Sequence, residues 1–240
     1  MEPLESHVLF VDAAGTFEVG TIDQIDGTFV QTQAPTADFS PDWTHVVAVG
    51  PHILFVRNDG LFAVGHIDQI SGHYTETDGV AGAFSSPRFS PDWTHVVAVG
   101  PHILFVRDDG LYAVGHINLS TGKFVTTDSG KLTDTDGTVF TGVTHVVAAG
   151  SRVLLGSNDE FWVLHIDEAT SKIVPTQNLG RGVGGTPNPI HVVAVGPHVL
   201  GVSPTQALGY VMHFDNLGQV VETQSGPPFA SDWSHVVAVA

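Results

Sequence analysis

Cysteine is absent from all 240 residues, so no disulfide staple, thiolate metal site or thiol nucleophile can exist, and the fold must stand on packing alone. Basic residues are scarce as well: Lys and Arg number 8 against 25 Asp and Glu, leaving a net charge of −17 at pH 7. Such a surface repels phosphate backbones and anionic membranes, which excludes nucleic acid as a partner. No apolar run approaches the roughly 20 residues a membrane-spanning helix needs, so membrane insertion is not expected. The first residues, Met-Glu-Pro-Leu-Glu-Ser, contain no basic region leading into an apolar stretch. The expected location is the cytoplasm, or the outside of the cell without a recognisable signal peptide. Long helical stretches are missing too, because 27 Gly and 14 Pro interrupt the chain throughout. Apolar side chains are plentiful, at 42% of residues, enough to bury the core of one compact domain.

The strongest signal is internal repetition. The segment His-Val-Val-Ala-Val-Gly, with small variations, recurs from His45, His95, His145, His191 and His235. A second segment follows the first four copies, as Pro-His-Ile-Leu-Phe-Val from Pro51 and Pro101, Ser-Arg-Val-Leu-Leu-Gly from Ser151 and Pro-His-Val-Leu-Gly-Val from Pro197. Ser-His-Val-Leu-Phe-Val from Ser6 opens the chain in the same way. Five units result, at residues 6–50, 51–100, 101–150, 151–196 and 197–240.

Each unit resolves into four short strands rich in Val, Ile and Phe and separated by turn residues. From His45, a first strand runs to Val49, Gly50-Pro51 turns the chain, and a second strand runs from His52 to Arg57. Asn58-Asp59-Gly60 reads as a three-residue hairpin loop with Gly in the left-handed position, so the strand from Leu61 pairs antiparallel with the second. Ser71-Gly72 turns the chain into a fourth strand. Four antiparallel strands in every unit, with near-continuous apolar runs suited to burial on both faces, predict an all-β, five-bladed β-propeller with four strands per blade. The C-terminal segment, His235 to Ala240, has no strands after it, and the N-terminal blade lacks one before it. Their joining would close the ring.

On one side of such a disc the loop before the first strand meets the turn between the second and third. Asp42, Trp43 and His45 are placed near Asn58; Asp92, Trp93 and His95 near Asp108; and Asp232, Trp233 and His235 form a third group. An indole face for the C–H side of a sugar ring, with acceptors and donors for its hydroxyls, suits a glycan. These tryptophans can equally wedge between blades while the aspartates cap turns. His45, His95, His145, His191 and His235 begin the first strand of each unit and would ring one mouth of a central channel. There they could hold a metal ion or a small-molecule ligand, or simply bond neighbouring backbone. If Arg57 pairs with Leu61, hairpin register sets His52 opposite His66 and His102 opposite His116. His198 and His213 form a looser third pair, while Thr21 and Arg152 break the pattern in the first and fourth units. Such pairs can chelate zinc or copper, with Asp68 as the recurring third group. No nucleophile elbow, phosphate loop or HExxH motif is present, so a binding protein rather than an enzyme is expected, with no required cofactor.

The unit count, the length and the recurring segment of apolar strand, Asp-Gly turn and Leu-aromatic-Ala-Val (Leu61 to Val64, Leu111 to Val114) resemble the tachylectin type of five-bladed propeller lectin. That resemblance implies sites for N-acetylated amino sugars between adjacent blades, here around Trp43 and Trp93. The resulting expectation is a multivalent carbohydrate-binding protein. Its alternative is a carrier of one pigment-like molecule or metal in the channel lined by the histidine ring.

Overall fold

A computed structural model describes residues 7–11, 16–22, 28–36, 42–79, 89–157, 160–180, 191–195, 198–203, 208–215 and 220–225. Among these residues the chain forms five antiparallel sheets in succession. The first has three strands, β1 (His7–Val11), β2 (Phe17–Ile22) and β3 (Phe29–Thr36). The second comprises β4 (Trp43–Val49), β5 (His52–Arg57), β6 (Phe62–Ile67) and β7 (Tyr74–Gly79). The third comprises β8 (His95–Val99), β9 (His102–Val106), β10 (Leu111–Asn118) and β11 (Lys123–Lys131). The fourth is built from β12 (Val143–Ala149), β13 (Arg152–Ser157), β14 (Glu160–Asp167) and β15 (Lys172–Gly180). The fifth is built from β16 (His191–Val195), β17 (His198–Ser203), β18 (Leu208–Phe214) and β19 (Val220–Ser225).

Five equal four-stranded blades are therefore not what forms, and the expectation is corrected. The His-Val-Val-Ala-Val segment opens a sheet: β4 pairs with β5 and not with β3. Among the described residues the first sheet has three strands only. The segment from His235 to Ala240, expected to close a ring, lies outside the described residues.

The chain divides into two compact units, Met1–Trp93 with Ile117–Val125, and Thr94–His116 with Thr126–Ala240. In the first unit, alternate residues of β5, Ile53 and Phe55, join Phe17, Val19, Ala63 and Ile67 in one buried cluster. In the second unit, β13 divides its side chains between two clusters. Val153 and Leu155 join Leu104, Val106 and Val114 on one side, and Leu154 joins Val199 and Met212 on the other. This alternation explains the unbroken apolar runs, since both faces of each middle strand are covered. Also in the second unit, β12 lies beside β8 and β16, so the strands bearing His95, His145 and His191 are neighbours.

The hairpins follow their turn chemistry. Gly60 and Gly110 adopt φ of 82° and 79°, and their N–H groups donate to the Arg57 and Arg107 carbonyls, each at 3.0 Å. A Cβ at Gly60 would run into the Phe89 carbonyl, and one at Gly110 into that of Phe140, so glycine is required twice over.

Within the first unit, side chains of one outer strand bond backbone of the next sheet. Gln33 Oε1 accepts from the Tyr74 N–H at 2.7 Å, and Asp78 Oδ2 from the Phe124 N–H at 3.0 Å. Thr32 and Thr77 hydroxyls donate to the Gly72 and Gly122 carbonyls at 3.2 and 2.8 Å. The second unit repeats the device, Gln177 Oε1 accepting from the Val220 N–H at 3.0 Å.

Candidate functional site

Two ends of the sheets carry chemistry. At the Asp-Gly hairpin end, Arg57 reaches Asp59 at 3.0 Å and Asp42 at 3.8 Å. Arg107 and Lys131 both meet Asp109 at 3.1 Å, and the Leu111 N–H with Lys131 holds the Asp109 carboxyl below its usual range. The Asp92 N–H donates to the Asn58 carbonyl at 3.2 Å, and Asp92 itself has φ of 66°. The Asp108 carbonyl accepts from Val143. Asp42 and Asn58 thus lie near one charged arginine, with exposed side chains. The indoles do not stand in solvent beside them. Trp93 is 6% exposed, and Trp43 is half-buried against the first unit's core, its ring 5.6 Å from Phe55. Asp232, Trp233 and His235 lie outside the described residues.

The first-strand histidines are locally bonded. His45 Nδ1 shares a hydrogen bond with the Thr44 hydroxyl at 3.1 Å and His145 Nδ1 with that of Thr144 at 2.9 Å. Thr44 and Thr94 in turn donate to the Val56 and Val106 carbonyls, each at 3.1 Å. His95 is half-buried. His191 stands in β16, with its side chain outside the described residues. Among the described residues no three His, Asp or Glu side chains converge as a metal site would require.

At the opposite end, beside the turns at Gly50-Pro51 and Gly100-Pro101, the paired histidines meet as register predicts. His52 faces His66, and His102 faces His116. His198 faces His213, Arg152 faces His165, and His7 faces Thr21. The His52 and His66 rings lie 4.9 Å apart, those of His198 and His213 5.7 Å. His52 and His102 are buried, with 5% and 8% exposure, and the Nδ1 of each is buried without a hydrogen-bond partner. Burial first, and then the facing His66 or His116, lowers the pKa of His52 and His102. Asp68 does not reach across as a ligand. Its Oδ1 accepts from the Ile70 N–H, the Ser71 N–H and the Ser71 hydroxyl at 3.1, 2.7 and 2.9 Å, which keeps the carboxyl ionised below its usual range. His66 adds electrostatically to the lowering at Asp68, and Glu168 partly offsets the lowering at His102. Glu168 escaped the sequence reading because only the fold brings the fourth sheet's turn towards the third sheet's histidine.

No protein-family profile and no curated protein matches the chain. Solved structures do. A Lactobacillus plantarum protein aligns over 96% of this chain and 69% of its own, at 15% identity and a TM-score of 0.59. The periplasmic gluconolactonase of Pseudomonas aeruginosa aligns over 94% and 67%, at 18% identity and 0.56. Yeast RCC1 (Prp20) aligns over 96% and 60%, at 12% identity and 0.52. The likeness is one of fold, a β-propeller type. The propeller type implied by the tachylectin resemblance therefore stands, and the lectin does not. Of the three, the two with a named role are RCC1 and a gluconolactonase, and neither is a lectin. With Trp93 buried, this corrects three expectations: the multivalent carbohydrate binder, its alternative of a channel carrier, and the absence of catalysis.

Proposed function

We propose that this chain hydrolyses a small uncharged cyclic ester, with the imidazole pairs His52–His66 and His102–His116 as the working groups. One observation carries the reading: the same cross-strand pair, with a buried nitrogen lacking a partner, sits at the same end of two successive sheets. Lactone hydrolysis adds one water across the acyl C–O bond. The water oxygen bonds to the carbonyl carbon, the ring oxygen departs, and that oxygen takes a proton. The reaction needs a group that makes water more nucleophilic and a proton source for the leaving oxygen, roles suited to a site built on imidazoles. His66 and His116, half-buried where their partners are buried, are the accessible members.

The named activity of the Pseudomonas neighbour, a gluconolactonase, supports the substrate class. Charge narrows it, because a chain at −17 disfavours an anionic, phosphorylated lactone over a neutral sugar lactone. The test is hydrolysis of glucono-δ-lactone by the purified chain, followed as acid release with an indicator. Saturable turnover above the spontaneous rate is expected, slower on the phosphorylated counterpart. The double variant His66→Gln/His116→Gln should lose about 10²–10³-fold in kcat/KM. Wild-type rates equal to buffer alone would overturn the proposal.

A further inference from the structure

Native proteins rarely leave a buried polar nitrogen without a partner unless it serves some purpose. Nδ1 of His52 and Nδ1 of His102 are such nitrogens, at equivalent places in successive sheets. Along the ladder His52 stands between Val49 of β4 and His66 of β6, and His102 between Val99 of β8 and His116 of β10. A proton on either ring of such a pair sets a cation against a second imidazole, one member being buried, and a buried charge without a counter-charge is costly. The carboxylates nearby stand outside the pairs. Asp68 is exposed, its Oδ1 taken up by the Ile70 and Ser71 N–H groups, and Glu168, exposed in the turn after β14, only partly offsets the burial of His102. The two ends of these sheets also differ in how firmly they are held. Gly60 and Gly110 sit against the Phe89 and Phe140 carbonyls. At the histidine end, chain neighbours apart, nothing among the described residues lies within 4 Å of where a Cβ would stand on Gly50 or Gly100, so these turns have room to swing. In the second sheet the bond beyond the histidine rung is from the Ile67 N–H to the Pro51 carbonyl, at 2.8 Å.

We propose that His52 with His66, and His102 with His116, are acid-operated latches: proton uptake by a pair opens the Gly50-Pro51 or Gly100-Pro101 end of its sheet, and proton loss closes it. Opening lets water reach the charged imidazole at the cost of few bonds, the kind of local unfolding that sheet ends undergo most readily. The sign follows from burial. Burial first, and the facing His66 or His116 second, holds His52 and His102 below their ordinary 6.5 in the closed state. The opened end therefore binds the proton more readily, and opening gains about tenfold per pH unit for one proton as pH falls from the ordinary value to the closed-state one. Above the ordinary value the closed end loses nothing. The fifth sheet provides a graded comparison. His198 faces His213 with rings 5.7 Å apart, but His198 is exposed, so water solvates a proton there without movement of the turn. The latch does not rest on the hydrolytic reading, and a chain without lactone turnover would keep it.

The experiment is amide hydrogen exchange on the full chain from about pH 7.5 to about pH 5, read by nuclear magnetic resonance as protection factors so that the intrinsic pH dependence of exchange drops out. Protection at Ile67 should be level above pH 6.5 and fall by up to about tenfold per unit below it. Arg57, whose N–H donates to the Leu61 carbonyl at the hairpin end, should stay level throughout. His52→Gln, which keeps a polar group that does not titrate, should remove the fall at Ile67, whereas His102→Gln should leave it in place. In wild-type protein labelled with ¹⁵N in its imidazoles, a readout that needs no variant to fold, His52 should titrate over the range in which Ile67 loses protection. An equal fall at Arg57 and Ile67, which is unfolding of the whole sheet, would overturn the proposal. So would an unchanged Ile67 profile in His52→Gln, or a His52 ring that stays neutral while Ile67 opens.

Discussion

The second and fourth sheets share strand order, a Gly-ended turn between their first two strands and a middle strand buried on both faces, yet differ at one cross-strand pair. His52 faces His66 in one, Arg152 faces His165 in the other. The fourth sheet closes its ladder and buries Val153, Leu154 and Leu155 completely, so nothing in the fold demands two imidazoles at that position. The pair in the second and third sheets is therefore free to answer to chemistry, and the arginine in the fourth marks a copy that does not share it.

Exchanging residues between the two sheets is the sharpest way to break this comparison. His52→Arg, which sets a guanidinium into a buried position opposite another histidine, should cost about 3 kcal/mol or more, read as a lower urea midpoint. A shift well under 1 kcal/mol would show that the two positions are equivalent. At the sheet junctions, Thr77→Val removes hydroxyl bonds to both the Val64 and Gly122 carbonyls and should cost about 1 kcal/mol on the same assay. The converse exchange, Arg152→His, should leave stability within roughly 0.5 kcal/mol, read as an unchanged urea midpoint.

The smallest effect concerns acid. Burial first, and Arg152 second, lowers the His165 pKa below its ordinary 6.5. Between that ordinary value and the lower folded one, the unfolded chain binds more protons, so stability falls as pH drops through this window. His165→Gln should flatten part of the fall in denaturant midpoint below pH 6.5. An unchanged slope would place the acid sensitivity elsewhere, with His52 and His102 next in line.

Much of this was legible in the residues because it is local. Unbroken apolar runs such as His-Ile-Leu-Phe-Val specify strands covered on both faces, and Asp-Gly turns fix hairpin register closely enough to set His52 against His66. What was not legible depends on partners distant along the chain. Trp43 and Trp93 read equally well as sugar platforms or core wedges, and only packing shows where their faces lie. Asp68 looked like a third ligand until the turn took up its oxygen, and Glu168 had no sequence signal linking it to His102. Five equal repeats suggested five equal blades, whereas among the described residues the first sheet has three strands and each of the other four has four.

The outer-strand side chains that grip the next sheet's backbone carry one more lesson. Gln33 and Gln177 do the same job with the same amide, and Asp78 does it with a shorter, charged carboxylate. A unit transplanted between the two glutamine junctions would find its partner again, whereas one moved to the aspartate junction would meet a different key.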